Sequence, residues 1–168
     1  MIDLVNVPEF YQGYVKSLGQ GDLVPLLLKT GDEFIEFGRG LSEAQGAYRY
    51  AEDKWSIKEV IQHVIDSERI FAYRALRFAR NDKTEIPGFE QNDYVPESNA
   101  DNRPIHGLMT EFTNVRASTV DLFTSFTNEM KQQTGVSNKV EMSVEALGYI
   151  ISGHQNHHLT IIYERYSK

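Results

Sequence analysis

Four long stretches of this sequence carry apolar residues at the spacing of an α-helix, and this pattern limits the possible folds most strongly. They cover about residues 22–39, 56–80 and 105–130, and a last stretch that starts at Ser143 and runs through Ile162. A shorter segment at about 8–18 precedes them. Apolar positions that recur every three or four residues place one stripe of each helix against a core. Four such helices, with few signals for strands, predict an all-α four-helix bundle.

The length and composition indicate one globular domain, residues 1–168. A chain of 168 residues with 40% hydrophobic and 11% aromatic residues has enough apolar mass for a single core. No stretch approaches the roughly 18 apolar residues of a membrane helix, so we expect no membrane partner. The first six residues lack the basic and apolar regions of a signal peptide, which predicts a cytoplasmic protein.

The charge and the cysteine count exclude several kinds of function. A net charge of −7 repels phosphate backbones, and no basic stripe offsets it, so we expect no nucleic-acid partner. The sequence has no cysteine. Disulfides, thiolate metal ligands and a cysteine nucleophile are therefore excluded. A small-molecule substrate is the remaining expectation.

The start of the helix at about 56–80 is the clearest local signal. Ser56 and Glu59 have the S-x-x-E spacing of a capping box, in which each side chain bonds the other residue's free backbone N–H. Trp55 precedes the cap and Val60 occupies the fourth helical position, the pairing of a hydrophobic staple. We therefore expect a firmly fixed helix start at Ser56.

Two histidines lie in the apolar stripe of the last helix. His154 and His158 are four residues apart, so they are stacked neighbours on one helical face. Burying two imidazoles costs free energy unless their nitrogens find partners, and a shared cation would supply one. A single histidine on an apolar face is more often a hydrogen-bonded core residue, and the pair alone leaves both interpretations open.

A third histidine favours a metal site. His63 lies one turn beyond Val60 on the apolar side of the helix at about 56–80. Bundle cores commonly build metal sites from side chains on facing helices. We therefore predict that His63, His154 and His158 bind one divalent metal ion.

The remaining candidate ligands fit the site less well. We expect His106 to be a solvated or capping residue at a helix start, and His157 to lie at the rim of the stripe. Asp66 and Glu68 flank His63 in sequence but face away from it on a helical wheel. We expect both to be salt-bridged surface residues rather than ligands.

The connection from residue 81 to about 104 is longer than compact domains usually contain. It includes Phe89 and Tyr94 among polar turn-forming residues. It leaves the far end of the helix from His63, about 25 Å away at 1.5 Å per residue. We expect it to double back along the bundle and help to shape a pocket at the metal end. The alternative is that the segment only connects two bundle helices and packs its aromatic rings on the outside of the bundle.

Three segments together resemble the DinB/YfiT-like superfamily. Residues 55–69 resemble its signature W-S-x-x-E-x-x-x-H-x-x-D-x-E-R, and residues 153–158 resemble its second motif, H-x-x-H-H. Residues 86–90 are similar to its connection after the second helix. The resemblance covers nearly the whole chain in the same order and spacing. This family is distinct from the DNA polymerase that shares the name DinB.

The resemblance implies a four-helix bundle in an up-down-down-up arrangement with a long crossover, often as a homodimer. It implies a divalent metal, most often zinc or nickel, held by histidines that match His63, His154 and His158. Characterised relatives transfer or isomerise substrates with a low-molecular-weight thiol such as bacillithiol, mycothiol or glutathione. Many members have no known activity.

Three imidazole ligands leave at least one coordination position open, the pattern of catalytic zinc. An open site can lower the pKa of a bound water or thiol toward neutrality. Because the chain has no cysteine, a thiolate has to arrive with a cosubstrate. We therefore predict a metal-dependent thiol S-transferase.

The alternatives are a metal-dependent hydrolase, with Glu68 or Asp66 as weak candidates for general base, and a non-catalytic metal- or ligand-binding bundle. Imidazoles suit zinc, nickel, copper and iron alike.

Overall fold

A computed structural model describes residues 2–166, and their arrangement is dominated by eight helices. Within that range no helix combines the length and the apolar character needed to cross a membrane. The elements, in chain order, are α1 (Glu9–Lys16), α2 (Leu23–Arg39), α3 (Glu43–Gly46), α4 (Ile57–Ala79), α5 (Gln91–Glu97), α6 (Ile105–Thr124), α7 (Asn128–Lys131), β1 (Thr134–Ser137), β2 (Val140–Ser143) and α8 (Val144–Arg165).

The long helices α2, α4, α6 and α8 form the predicted four-helix bundle, in which α4 packs between α6 and α8. The starts of α2 and α8 meet where Leu23 contacts Gly148, so these two helices run in the same direction. The start of α4 meets the end of α8, where the Tyr166 hydroxyl donates a hydrogen bond to the Trp55 carbonyl (2.8 Å). Helix α4 is therefore antiparallel to both α2 and α8.

The long connection between α4 and α6 carries the chain back along α4, as expected. Near its start, Ile86 pairs with Ser137 at the end of β1. After α5, the Asp101 carboxylate accepts a hydrogen bond from the Ser56 hydroxyl at the start of α4 (2.5 Å) and pairs with Arg49. Helices α4 and α6 therefore begin at the same end and run parallel, which completes the up-down-down-up arrangement.

The structure confirms the predicted capping of the two helices that carry the histidines. The Ser56 hydroxyl accepts a hydrogen bond from the Glu59 backbone N–H (3.1 Å), and the Glu59 carboxylate accepts one from the Ser56 N–H (2.8 Å). The Ser143 hydroxyl accepts from the Ala146 N–H at the start of α8 (3.0 Å). Both helices thus begin at positions that local sequence fixes.

Residues 125–143 differ from the prediction of one helix to residue 130 followed by a turn at 135–138. Helix α6 ends at Thr124, and Thr127 caps the separate short helix α7. Strands β1 and β2 then form an antiparallel hairpin. Its turn residues Asn138 and Lys139 have φ values of 51° and 63°, as a two-residue hairpin turn of type I′ requires.

A buried polar network joins the four bundle helices at mid-length. Arg116 on α6 donates two hydrogen bonds to the Glu68 carboxylate on α4 (both 2.8 Å). It donates one more to the backbone carbonyl of Leu27 on α2 and one to the side-chain amide oxygen of Gln155 on α8 (both 2.8 Å). The Gln155 amide donates in turn to the Thr30 carbonyl on α2 (2.8 Å). Arg116 is 4% exposed and Glu68 is 2% exposed. The expectation that Glu68 is a surface residue is therefore wrong.

This network separates the apolar core into two parts. The core toward the hairpin contains Phe71, Phe78, Phe123 and Leu147 among its buried side chains. The core toward the connection between α2 and α4 contains Phe34, Ile61, Ile65, Phe112 and Ile162. On every bundle helix the polar residue of the network lies between these two groups in sequence. The four helices therefore have one relative register in which all of these polar groups are bonded.

Removing the capping contacts should destabilise the fold. Ser56→Ala removes the cap hydrogen bond from the Glu59 N–H and the bond that the hydroxyl donates to Asp101, and it should lower the free energy of unfolding by at least about 1 kcal/mol. Trp55→Ala removes an indole that packs on the core toward the connection between α2 and α4, and it should lower the free energy of unfolding by about 3 kcal/mol. Chemical denaturation measures both, with Ser118→Ala at an exposed position of α6 as the control. Midpoints equal to that of the wild type would contradict the importance of this helix start.

Breaking the buried ion pair should cost more than removing both of its members. Arg116→Met leaves the Glu68 carboxylate buried without its partner and should lower the free energy of unfolding by about 3–5 kcal/mol. The double variant Arg116→Met, Glu68→Met should recover much of that loss. The matched control is Lys29→Met, which breaks an exposed pair with Glu33 and should cost about 1 kcal/mol or less. A double variant no more stable than Arg116→Met would contradict the argument.

Candidate metal centre

Three histidine side chains converge between α4 and α8. His63 lies in the second turn of α4, and His154 and His158 lie on successive turns of α8. The Nε2 atom of His154 is 3.1 Å from the Nε2 atom of His63 and 3.1 Å from that of His158. All three ligand atoms lie within 4.8 Å of one another. The sequence prediction that these residues meet is thus confirmed, whereas metal binding itself stays a prediction.

Aromatic rings surround the three imidazoles. Trp55 packs against His63, with ring centres 5.1 Å apart, and Phe71 lies 5.9 Å from the His154 ring. Tyr14 of α1 contacts His154 at 5.7 Å. Such a shell removes water from around the nitrogens, so their interactions with a bound ligand are screened less than at a surface.

Helix α1 can lie this close to α8 because residue 153 is glycine. A Cβ atom on Gly153 would lie 2.5 Å from the carbonyl oxygen of Tyr14, closer than van der Waals contact allows. The missing side chain lets the α1 backbone rest on α8 next to His154. Tyr14 is thereby held over the histidines.

Burial keeps the three imidazoles neutral. His63 is 3% exposed and His154 is 8% exposed, and His158 is half-buried. Burial lowers the pKa of His63 to about 4 and that of His158 to about 3, where the neighbouring histidines add a smaller repulsion. Burial, and then the neighbouring rings of His158, His63 and His157, lower the pKa of His154 well below its usual value. At neutral pH all three therefore have the uncharged form that coordinates metals.

The geometry of the cluster fits one metal ion. A tetrahedral zinc with Zn–N bonds of about 2.0–2.1 Å holds its nitrogens about 3.3 Å apart. The two Nε2–Nε2 distances of 3.1 Å are close to that spacing. The donor set is three neutral nitrogens, which suits zinc, nickel, copper or iron. Three protein ligands are also fewer than a closed structural site uses, so a position is left for a substrate.

The structure places the other candidate residues outside the group of ligands. His157 is half-buried and packs on Tyr14, with ring centres 4.8 Å apart, and His106 is exposed on α6. Asp66 is half-buried and accepts a hydrogen bond from the Gln62 amide (2.9 Å). Burial, the largest influence, raises its pKa.

Glu68 is a poor candidate for the general base that hydrolysis would need. Both of its carboxylate oxygens accept hydrogen bonds from Arg116. It also lies in the layer that separates the two apolar cores. A general base needs an accessible carboxylate, so the structure does not support the alternative in which Glu68 has this role.

Sequence reasoning missed three residues near the histidines: Tyr11 and Tyr14 on α1, and Arg74 on α4. Tyr11 contacts Phe71, whose ring also contacts His154. The Arg74 guanidinium lies 5.5 Å from the centre of the same Phe71 ring. Arg74 follows His63 by eleven residues, three helical turns, so helical spacing alone places both on one face. No local pattern indicates that the short helix α1 packs against them.

Comparison with known proteins agrees with this fold and site. The DinB superfamily matches residues 26–162. A protein of Oceanobacillus iheyensis named "Putative metal-dependent hydrolase" is 25% identical over 124 residues, which are 73% of this chain and 70% of that protein. YfiT from Bacillus subtilis, described as "a probable metal-dependent hydrolase with an unusual four-helix bundle topology", superimposes with a TM-score of 0.73 at 14% identity. That match covers 84% of this chain and 82% of YfiT.

The fold and the histidine cluster are those of a four-helix bundle built around a candidate metal centre. The chain belongs to the DinB superfamily. The resemblance seen in the motifs at residues 55–69 and 153–158 is therefore confirmed. A homodimer and a cytoplasmic location stay predictions.

Proposed function

We propose that this protein binds one divalent metal ion through His63, His154 and His158 and is a metal-dependent enzyme acting on a small molecule. The observation that carries the proposal is the convergence of three neutral imidazoles, two of them buried and one half-buried, with no carboxylate in the group. Zinc or nickel is the proposed ion, in line with the resemblance. The names of the two relatives support metal dependence.

The residues around the histidines limit the chemistry that this site supports. A divalent ion held by three imidazoles supplies Lewis acidity and makes a bound thiol or water more acidic. The two carboxylates that follow His63 most closely on α4, Asp66 and Glu68, are hydrogen-bonded to Gln62 and Arg116 respectively. Tyr14 has a pKa raised by burial, so its hydroxyl stays protonated at neutral pH and can donate a hydrogen bond but not act as a base.

We propose that the nucleophile is a low-molecular-weight thiol and that the reaction is S-transfer to an electrophilic substrate. A thiol needs less assistance from a protein base than water does, because its own pKa is already near neutrality. The absence of a free carboxylate among the grouped ligands therefore favours the thiol. The thiol has to come from solution, since the chain contains no cysteine.

The second candidate is a metal-dependent hydrolase. The observation in its favour is that both relatives are named as hydrolases of this kind. In that reaction Asp66, three residues after His63, is the remaining candidate for the base. Burial raises its pKa, and its carboxylate accepts a hydrogen bond from Gln62 and pairs with Arg69 at 3.7 Å. A non-catalytic binding protein would show neither activity.

Elemental analysis of purified protein tests the ligand assignment. The wild type should contain about one divalent ion per chain, and His158→Ala should lose most of it because two imidazoles hold a metal weakly. His157→Ala is the matched control: it removes a neighbouring imidazole that lies outside the group of three. It should keep most of its metal. Equal metal content in wild type and His158→Ala would contradict the assignment.

Turnover assays separate the two reactions. Metal-loaded protein should consume a model electrophile such as 1-chloro-2,4-dinitrobenzene in a reaction that depends on added bacillithiol, mycothiol or glutathione. His63→Ala should reduce the rate at least about 100-fold if the ion is essential. Hydrolysis of ester or amide substrates without thiol, lost in Asp66→Asn, would instead identify the hydrolase. Absence of both activities in the metal-loaded protein would support the non-catalytic alternative.

A further inference from the structure

Arg74 on α4 is a buried cation without an acidic partner among residues 2–166. It is 3% exposed, and its Nε atom has no hydrogen-bond partner. No carboxylate of the described chain forms an ion pair with it, whereas Arg116, the other fully buried arginine, is paired with Glu68. Burying a charge in this way is unfavourable unless a counter-charge arrives from elsewhere.

The groups around Arg74 are aromatic. Its guanidinium carbon lies 5.5 Å from the centre of the Phe71 ring and 6.0 Å from that of Phe89. The Tyr11 phenol interacts with the guanidinium, whose positive charge opposes the rise that burial causes in the pKa of Tyr11. The phenol remains neutral at physiological pH, so it offers a hydrogen bond but no compensating charge.

Arg74 also points toward the histidines. It lies three turns after His63 on the same face of α4, and helical side chains lean toward the N-terminus of their helix. Its guanidinium is accordingly found over Phe71, one turn earlier. The same Phe71 ring lies 5.9 Å from the His154 ring. Phe71 therefore contacts both the cation and one of the candidate metal ligands.

Ser67 provides a further polar group on this face. It lies between His63 and Arg74 on α4, is 1% exposed, and its hydroxyl has no hydrogen-bond partner. Two polar atoms without a hydrogen-bond partner, Arg74 Nε and the Ser67 hydroxyl, on the face that carries His63 are unusual in a native core, where such atoms are normally bonded. Both would gain a partner from a polar ligand in this position.

We propose that Arg74 and Tyr11 form an anion subsite that binds a carboxylate or phosphate group of the substrate, next to Phe71, whose ring also contacts His154. The inference rests on the proposed function for its role, because it assigns the charged end of the molecule that reacts at the metal. A guanidinium matches a planar carboxylate or a phosphate through paired N–H donors. Phe71 and Phe89 would contact the apolar part of the same molecule.

Phe89 controls access to this subsite. It is half-buried, belongs to the long connection between α4 and α6, and contacts Tyr94, which is 48% exposed. An anion would reach Arg74 by displacing this ring. The proposal thus gives Phe89 a place in the subsite, and the expectation that the connection shapes a pocket at the metal end stays a prediction.

Nuclear magnetic resonance of the arginine Nε–H groups tests the subsite directly. Metal-free protein, freed of chelator, is titrated with sodium acetate and separately with inorganic phosphate at constant ionic strength. The Arg74 resonance of the wild type should shift and saturate with at least one of them, and the more effective anion identifies the group. In Arg74→Met, the thermal stabilisation that this anion gives should fall by at least half. Arg77→Met is the matched control, since it removes a charge one turn away that pairs with Asp82, and it should respond like the wild type.

The outcome is independent of metal loading and of turnover. An Arg74 resonance that shifts with neither anion, or equal stabilisation of Arg74→Met and Arg77→Met, would overturn the subsite. Saturable binding at Arg74, together with an elemental analysis in which the purified protein takes up no divalent ion, would retain the subsite and reject the proposed enzyme. Should Arg74→Met fail to fold, the titration of the wild type still decides the question.

Discussion

The arrangement of the bundle depends on Arg116. Its guanidinium is bonded to groups on the other three long helices, and each bond is made in the low-dielectric interior, where an unpaired polar atom is costly. A slide of any one helix by a turn would leave several of these groups unbonded. Apolar contacts alone tolerate such slides better, because one aliphatic side chain replaces another at little cost.

This network also positions the histidines. Glu68 follows His63 by five residues on α4, and Gln155 is adjacent to His154 on α8. Fixing Glu68 and Gln155 on the same arginine therefore fixes the heights of α4 and α8 relative to each other. Core packing thus helps to set the heights at which the three histidines meet.

The sequence predicts the parts of this protein that local rules determine. The caps at Ser56 and Ser143 and the common face of His154 and His158 follow from spacing within one helix. The meeting of His63 with that pair follows from helix packing and from the resemblance. The burial of Glu68 does not, because the wheel places it away from His63 and gives no sign that Arg116 lies opposite. The hairpin was missed because strands of four residues are too short to show an alternating pattern, and the position of α1 depends on a tertiary contact at Gly153.

The position of the histidines in the chain determines when the centre can form. His63 and His154 are separated by 91 residues and lie on the second and the last of the long helices. Closing so long a segment of chain is entropically costly and is favourable only once other contacts restrain it. During synthesis the centre stays incomplete until α8 has emerged and docked. Occupancy of the three histidines would therefore report that the entire bundle has folded.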